Sequence, residues 1–438
     1  MNKFTFRGGV HPPYNKITSN KKIEALPLPE VLYVPLSQHA GKPAKPLVKR
    51  GDVVKKGQKI GEADGFISAN IHAPTSGKVK SIMEHPHPVF LENVPTVIIE
   101  ADGDDTWFDG YGERKDWQER TREEIINDVK EAGIVGLGGA AFPSHVKLSP
   151  PPEKKIDTVI INGAECEPYL TADDRLMQER PEDMLWGARL IKRAVGAEKV
   201  YIAIEDNKPK AINSIQDALR EFDDIELRVV KTKYPEGAEK QLIKALTGRE
   251  VPRGGLPMDV GCLVHNAGTS IAIYEAVRFG KPLIERVLTL SGSGAQGKGN
   301  YLVRIGTQFS YIVGKTGGTS GDIKKVIMGG PMMGISQYSL DVPVIKGTSG
   351  ILLFTSKEVK FHEPYPCIRC SRCVSVCPMG LLPLILVDLV KYGRLEIAKE
   401  QYGLLDCIEC GSCAYICPSH IPHVQWIKYG KSELRRKK

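Results

Sequence analysis

Eight of the ten cysteines in this 438-residue sequence fall between positions 367 and 417, in two runs of one spacing. Cys367, Cys370, Cys373 and Cys377, followed by Pro378, spell C-x2-C-x2-C-x3-C-P, and Cys407, Cys410, Cys413 and Cys417, followed by Pro418, repeat it. Three closely spaced thiolates can wrap one iron–sulfur cubane from a single tight loop. The fourth iron must be reached from elsewhere, and in this spacing the distant cysteine of each run serves the other cluster. The motif thus assigns Cys367, Cys370, Cys373 and Cys417 to one [4Fe–4S] cluster, and Cys407, Cys410, Cys413 and Cys377 to a second. The alternative is a pair of zinc knuckles, but these join two C-x2-C pairs rather than two four-cysteine runs ending in Cys-Pro. Disulfides suit small secreted chains; in a long chain whose start lacks the apolar core of an export signal, metal is expected. Cys166 and Cys262 lie far from both runs and read as unligated thiols.

The elements that position these residues can be read from pattern. Between the runs, Leu381 to Asp406 contains two helix-like stretches interrupted at Gly393, which implies a helical ferredoxin-type insert. A second stretch with chemical content is Gly136-Leu-Gly-Gly-Ala-Ala-Phe-Pro-Ser-His-Val-Lys147. A glycine-rich loop lets backbone N–H groups approach a phosphate or a flat ring, and a lysine shortly afterwards can neutralise phosphate charge. Thr121-Arg-Glu-Glu fits a capping box that opens a helix over about 122–132. Strands are expected at 158–161, 199–204 and 225–231, and helices at 181–195, 209–222, 237–246 and 269–279. Such alternation argues for an open, mainly parallel sheet with helices on both faces. Ligands collect at the carboxyl ends of the strands of such sheets, where Asn162, Glu165 and Glu167 follow one strand and Tyr234 to Glu239 follows another.

At 41% hydrophobic and 26% charged residues, the composition is that of a globular chain long enough for several domains. A net charge of +8 spread along the sequence does not argue for nucleic acid. No stretch approaches the roughly 18 to 20 apolar residues of a membrane span, so any membrane association is expected to be peripheral. The basic end, 426–438, reads as a solvated tail, with contact to anionic lipid or an acidic partner as the functional alternative.

Residues 44 to 82 alternate short β-rich runs with glycine turns and resemble the barrel-sandwich hybrid fold of biotinyl and lipoyl domains. The hairpin that carries the modified lysine there corresponds to Asp64 to Asn70, which contains no lysine, so a docking or structural role is expected. Val287 to Ser291, Tyr301 to Gly306 and Lys325 to Gly334 resemble the ubiquitin-like SLBB domain, with Met332 and Met333 as packing residues. In order, Gly136 to Lys147, Asn162-Gly-Ala-Glu-Cys-Glu-Pro168, Tyr234 to Glu239 and Val264-His-Asn-Ala-Gly-Thr269 resemble the FMN and NADH motifs of the flavin-carrying subunit of respiratory complex I. The whole arrangement resembles the RnfC family, found in the Rnf ion-translocating electron transport complexes.

That resemblance implies a multidomain α/β chain. Its parts are a barrel-sandwich hybrid over 1–110, a doubly wound FMN/NADH domain over 115–282, an SLBB-like domain over 283–350 and a helical two-cluster ferredoxin domain over 358–425, before the tail. It implies FMN near Gly136, Gly138, Gly139, Lys147, Asn162, Glu165, Gly237, Glu239, Asn266 and Thr269. Glu167 falls where the nicotinamide end of NADH stacks on the flavin, as the catalytic residue. The implied activity is exchange of a hydride between NAD(H) and FMN, with electrons passed through two [4Fe–4S] clusters. The implied place is the cytoplasmic face of the membrane, beside the other subunits of the complex, with ferredoxin reached through another iron–sulfur subunit. Ala164 stands where an aspartate is usual, and Ala238 replaces the first of two successive glutamates. Two other readings use the same modules: a soluble cobalamin or quinone reductase, which usually carries its hybrid domain elsewhere, and an electron-wire subunit that has lost its flavin.

Overall fold

The computed structural model describes residues 4–436; Lys437 and Lys438 of the basic end, and residues 1–3, lie outside the described residues. Its centre is a four-stranded parallel sheet with strand order Glu226–Val230, Lys199–Glu205, Thr158–Gly163, Cys262–Asn266. Strand side chains alternate between faces. Val159, Ile161, Ile202 and Ile204 pack with the helices Pro181–Val195 and Ala267–Phe279, while Ile160, Tyr201, Ala203 and Val264 pack with Glu239–Thr247. Helices on both faces bury the three strands Lys199–Glu205, Thr158–Gly163 and Cys262–Asn266, which is why these read as near-continuous apolar runs, while the edge strand Glu226–Val230 is only partly covered. The capping box at Thr121 is present and opens the helix Arg122–Glu131.

Three features depart from the sequence expectation. The helix over 209–222 is α-helical only over Pro209–Ala218 and ends in a 3-10 turn, Leu219–Glu221. The short helix Ala172–Glu179 and the strand Cys262–Asn266 are additional. The helix starts at the sheet end that carries the candidate ligands, and the strand delivers Asn266 to the same end.

The hybrid unit is two small antiparallel sheets. One has the order Val31–Pro35, Asn93–Ala101, Gly77–Pro86, Val53–Val54, and the other Lys45–Pro46, Lys59–Glu62, Ile71–His72. Leu32, Val34, Ile60, Ile71, Val79, Val97 and Ile99 form its core. The hairpin without a lysine is docked: Asn70 Nδ2 donates to the carbonyls of Lys130 (3.2 Å) and Glu131 (3.4 Å), at the end of the helix Arg122–Glu131. Carbonyls at a helix C-terminus need donors from outside the helix, and Asn70 supplies them.

A third sheet, mixed and six-stranded, has the order Ile23–Ala25, Gly299–Arg304, Glu285–Ser291, Gly350–Thr355, Ile323–Met328, Ile335–Gln337, with the helix Phe309–Lys315 against it. Its first strand comes from far upstream. Residues 4–25 thus leave the hybrid unit and run as a strap across the rest of the molecule. Phe4 bridges Val230, Val10 pairs with Tyr234, the Gly9 N–H donates to the Val376 carbonyl (2.8 Å), and Ile23–Ala25 joins the third sheet.

In the cysteine-rich unit the stretch between the runs forms the helices Pro383–Lys391 and Leu395–Glu400, separated at Gly393. The basic end is a helix, His423–Arg436, rather than a solvated tail: Ile427 and Leu434 pack with Leu386 and Val390. Among the described residues no helix is long and apolar enough to cross a membrane.

Candidate functional site

The central strand Thr158–Gly163 delivers Asn162 to the carboxyl edge of the parallel sheet. Asn162 Nδ2 donates to the Gly237 carbonyl (2.8 Å) and its Oδ1 accepts from the Ala164 N–H (3.1 Å), so one side chain ties two strand-end loops together. A Cβ built on Gly237 would stand 3.3 Å from Cys166 Sγ, 3.5 Å from Ala164 Cβ and 3.7 Å from Asn162 Oδ1. On the neighbouring strand end, Asn266 caps the helix Ala267–Phe279 by accepting from the Thr269 N–H. The Thr269 hydroxyl in turn accepts from the Leu137 N–H at 2.8 Å, which fixes the glycine loop against that helix start. A Cβ on Gly138 would meet the Asn266 amide at 2.9 Å, so a side chain there would displace Asn266, whereas nothing stands within 4 Å of a Cβ at Gly139 among the described residues. Gly136 pairs with Phe142 at the base of the loop.

Glu165 extends this chain of bonds. Its carboxylate accepts from the Asp173 (2.8 Å) and Asp174 (3.2 Å) N–H groups, so it caps the helix Ala172–Glu179, and Asp173 Oδ2 accepts from Asn266 Nδ2 (2.6 Å). Lys147 Nζ donates to Glu239 Oε1 (2.8 Å) and to the Val264 carbonyl (2.7 Å). Of the ten residues expected near the flavin, Asn162 with Gly237, Glu165 with Asn266 through Asp173, Asn266 with Thr269, and Lys147 with Glu239 are joined by side-chain bonds, Gly138 lies against Asn266, and Gly136 and Gly139 belong to the loop that Thr269 holds through Leu137. Burial raises the pKa of Glu165 and of Asp173, with Lys16 opposing it at Glu165 and Arg286 at Asp173.

Glu167 is engaged differently. Its oxygens accept from the Met332 (3.0 Å) and Met333 (2.8 Å) N–H groups, on a loop of the third sheet's domain. Burial pushes its pKa up to about 7, against the opposing effect of those two N–H groups and Lys16.

Sequence reasoning missed the two lysines that hold the loop. Lys16, from the strap, donates to the carbonyls of Glu165 (2.7 Å), Glu167 (2.8 Å) and Leu170 (2.6 Å). Lys208, 4% exposed, donates to the Ala164 carbonyl (2.5 Å) and to Glu205 Oε2 (2.9 Å). Burial disfavours the charge on Lys208, but Glu205 and Glu165 outweigh it and the net shift is upward. A lysine that follows a β-strand gives no sign in sequence that it points inward.

The eight clustered cysteines ring two cavities. Cys367, Cys370, Cys373 and Cys417 line one, and Cys377, Cys407, Cys410 and Cys413 line the other. Each wall thus takes three thiols from one run and the last from its partner, a donor set that suits a cubane. The second cavity is the inner one, with Cys410 and Cys413 buried, whereas Cys367 and Cys370 are exposed in the outer one. Cys410 packs in one cluster with Cys166, Tyr234 and Val10, with Met332 and Val376 against it, so the inner cavity adjoins the strand-end loops. Cys262 is buried on the opposite side of the central sheet from the glycine loop's main core, and lines neither cavity.

An α/β unit with a glycine loop at its strand ends, joined to paired four-cysteine cavities, defines a modular flavin and iron–sulfur class of electron-transfer protein. Family models agree: residues 129–275 match the Nuo51 FMN-binding domain, 4–104 the RnfC barrel sandwich hybrid domain and 360–418 a 4Fe-4S dicluster domain. A relative from Clostridium ljungdahlii, named as a component of a proton-translocating ferredoxin:NAD(+) oxidoreductase complex, is 51% identical over 98% of this chain and 94% of its own. Another from Acetobacterium woodii, named as a component of a Na(+)-translocating ferredoxin:NAD(+) oxidoreductase complex, is 46% identical over 88% of this chain and 87% of its own. The chain belongs to the RnfC family of ion-translocating oxidoreductase complexes. Among solved structures, a chain of an NAD+-reducing [NiFe]-hydrogenase in the air-oxidized state shares the fold, with TM-score 0.51 and 19% identity over 70% of this chain and 63% of that one.

Two outcomes follow from the loop. Lys16→Met leaves the carbonyls of Glu165, Glu167 and Leu170 without their donor, and a cost of about 1–3 kcal/mol is expected, read as a lower thermal unfolding midpoint. An unchanged midpoint would show that the strap lysine does not hold the loop. The second concerns pH. Glu167 is raised from 4.5 to about 7 in the fold, so its stabilising contribution is full below about pH 4.5 and is lost as pH rises through about 7. The midpoint of the wild-type chain should therefore fall relative to that of Glu167→Gln between pH 5 and pH 8; parallel profiles would refute the assignment.

Proposed function

We propose that this chain is the peripheral NAD(H)-facing subunit of a membrane-bound, ion-translocating NADH:ferredoxin oxidoreductase. It exchanges a hydride between NAD(H) and FMN and passes electrons through two [4Fe–4S] clusters. The observation that carries this reading is the packing of Cys166 and Tyr234 with Cys410, which brings the strand-end loops up to the inner cysteine run within one chain. The relatives' names, as components of ferredoxin:NAD(+) complexes, support the substrates and the multi-subunit setting. We place the chain at the cytoplasmic face, held by other subunits, with ferredoxin reached through another iron–sulfur subunit.

Bound FMN supplies the conversion between a two-electron hydride and single electrons, which clusters carry one at a time. The residues divide the remaining work. Gly136, Gly138 and Gly139 permit close backbone approach, and Lys147 with the N-terminus of the helix Ala267–Phe279 provides the positive end that a phosphate requires. Asn266 and Thr269 fix that helix start, and Asn162, Glu165, Gly237 and Glu239 hold the facing loops. Glu167 is assigned to the nicotinamide side as the catalytic residue. Cys367, Cys370, Cys373 and Cys417 would hold the outer cluster, and Cys377, Cys407, Cys410 and Cys413 the inner one.

Anaerobically reconstituted chain is expected to hold about eight iron and eight sulfide, and Cys410→Ala to lose one cluster. Zinc without acid-labile sulfide would overturn the cluster assignment. FMN should bind without a covalent bond and bleach on anaerobic addition of NADH. Gly138→Leu should abolish FMN binding, since even a Cβ there meets Asn266 at 2.9 Å, while the iron content stays unchanged. Glu167→Gln should keep FMN but slow the bleaching. If FMN-loaded wild-type chain is not bleached by NADH, the dehydrogenase reading fails.

A further inference from the structure

The two cysteine cavities share one motif but not one environment. Two side chains from outside both runs bond to the backbone of the inner set. Lys431, 9% exposed on the helix His423–Arg436, donates from Nζ to the Cys407 carbonyl at 2.6 Å. Tyr234, fully buried at the strand-end loop, donates its hydroxyl to the Cys410 carbonyl at 2.6 Å. The charges about Lys431 are Glu409, whose Oε1 accepts from Lys431 at 2.7 Å, and the half-exposed Lys428, 3.9 Å from Glu409 Oε2. Lys428, like any exposed cation, is screened by water, and Glu409 pairs with Lys431, but the ammonium of Lys431 is the one charge of this group that is both shielded from solvent and turned to a cysteine carbonyl. At the outer set the cations beside the cysteines are Arg369 and Arg372, both exposed and screened by water.

Reduction of a four-thiolate cubane adds a negative charge to a group that is already anionic. Burial opposes that step, so the inner cavity by burial alone would hold the cluster that is harder to reduce. A buried ammonium and a hydroxyl, each donating to the ligand backbone, oppose the effect of burial where the low dielectric strengthens them.

We infer that Lys431 and Tyr234 are the residues that set the inner cluster's reduction potential, holding it above the value that burial alone would impose. The inference rests on the cluster reading proposed above. Tyr234 extends from the strand-end loop and Lys431 from the C-terminal helix, so the potential depends on how the α/β unit and that helix close on the inner cavity. Both act as positioning and tuning residues, without ligating iron.

The test is an EPR-monitored redox titration of the full-length reconstituted chain, with Cys370→Ala, which disables the outer site, identifying the inner signal. Lys431→Met should move the inner midpoint to lower potential, Lys431→Gln, which keeps a donor without the charge, should move it less, and Lys431→Arg should leave it near wild type. Tyr234→Phe, which removes one hydroxyl and no packing volume to speak of, should also lower it, and the outer midpoint should stay fixed in all four. An inner midpoint unmoved in both Lys431→Met and Tyr234→Phe, with iron and sulfide retained, overturns the inference; where Lys431→Met fails to hold its cluster, Tyr234→Phe alone decides. Absence of clusters from the wild-type chain would instead defeat the cluster reading itself, and iron and sulfide analysis separates the two results.

Discussion

The loop from Ala164 to Leu170 is the constraint on which the rest depends, because a buried turn must find donors for every carbonyl it turns inward. Glu165 and Tyr169 have positive φ of 46° and 69°, a conformation that non-glycine residues hold only when their surroundings fix it. Two lysines supply that fixing, one from each side: Lys208 at the Ala164 carbonyl, and Lys16 at those of Glu165, Glu167 and Leu170. With the loop held, the Glu165 carboxylate can cap the helix Ala172–Glu179, and Asp173 at that helix start can position Asn266. The glycine loop is then located through Thr269, so one turn registers both walls of the strand-end site.

The strap explains why an upstream segment is needed for a site encoded more than a hundred residues later. Its residues contact the α/β sheet edge at Val230, the strand-end loops at Tyr234, the cysteine-rich unit at Val376 and the third sheet at Asn300 to Leu302. Gly8, with φ of 86°, passes so close to the inner cavity that a Cβ would stand 2.9 Å from the Cys377 carbonyl. The hybrid unit is tied down at another point. Lys346 Nζ donates to the carbonyls of Asn70 and Gly133, both at 2.7 Å, so a single ammonium joins three units, and burial pulls its pKa down to about 7.

Much of this was legible in sequence wherever spacing encodes local geometry. The cysteine runs, the capping box at Thr121 and the helix Pro181–Val195, bounded by a proline and by Gly196 in the left-handed conformation, are all local signals. The strand Cys262–Asn266 was not legible, because five residues packed on a neighbouring strand show no alternation to read. Ala172–Glu179 was hidden for a different reason: it is eight residues long, and its capping acceptor, Glu165, precedes it by seven positions. Lys16, Lys208 and Lys431 were illegible on physical grounds, since a charged side chain is by default exposed and its burial is set by partners distant in sequence. For Lys431 that default produced a reading of a solvated tail, where the chain in fact folds back as a helix.

The same reasoning bears on the repeat itself. Two copies of one spacing in one short unit invite treatment as equivalent, yet the outer cavity keeps Cys367 and Cys370 exposed while the backbone around the inner cysteines is met by residues from four places. Gly8 comes from the strap, Tyr234 from the α/β unit, Met332 from the third sheet's domain and Lys431 from the terminal helix. A Cβ on Gly411, between the inner cysteines, would stand 3.1 Å from the Met332 carbonyl, so the third domain reaches the cysteine loop at backbone distance. Met332 is also held through its N–H by Glu167, which belongs to the loop that the two lysines fix. The inner cysteine run and the strand-end edge are therefore shaped by one set of contacts, and a displacement of the loop at Glu167 would be felt at both.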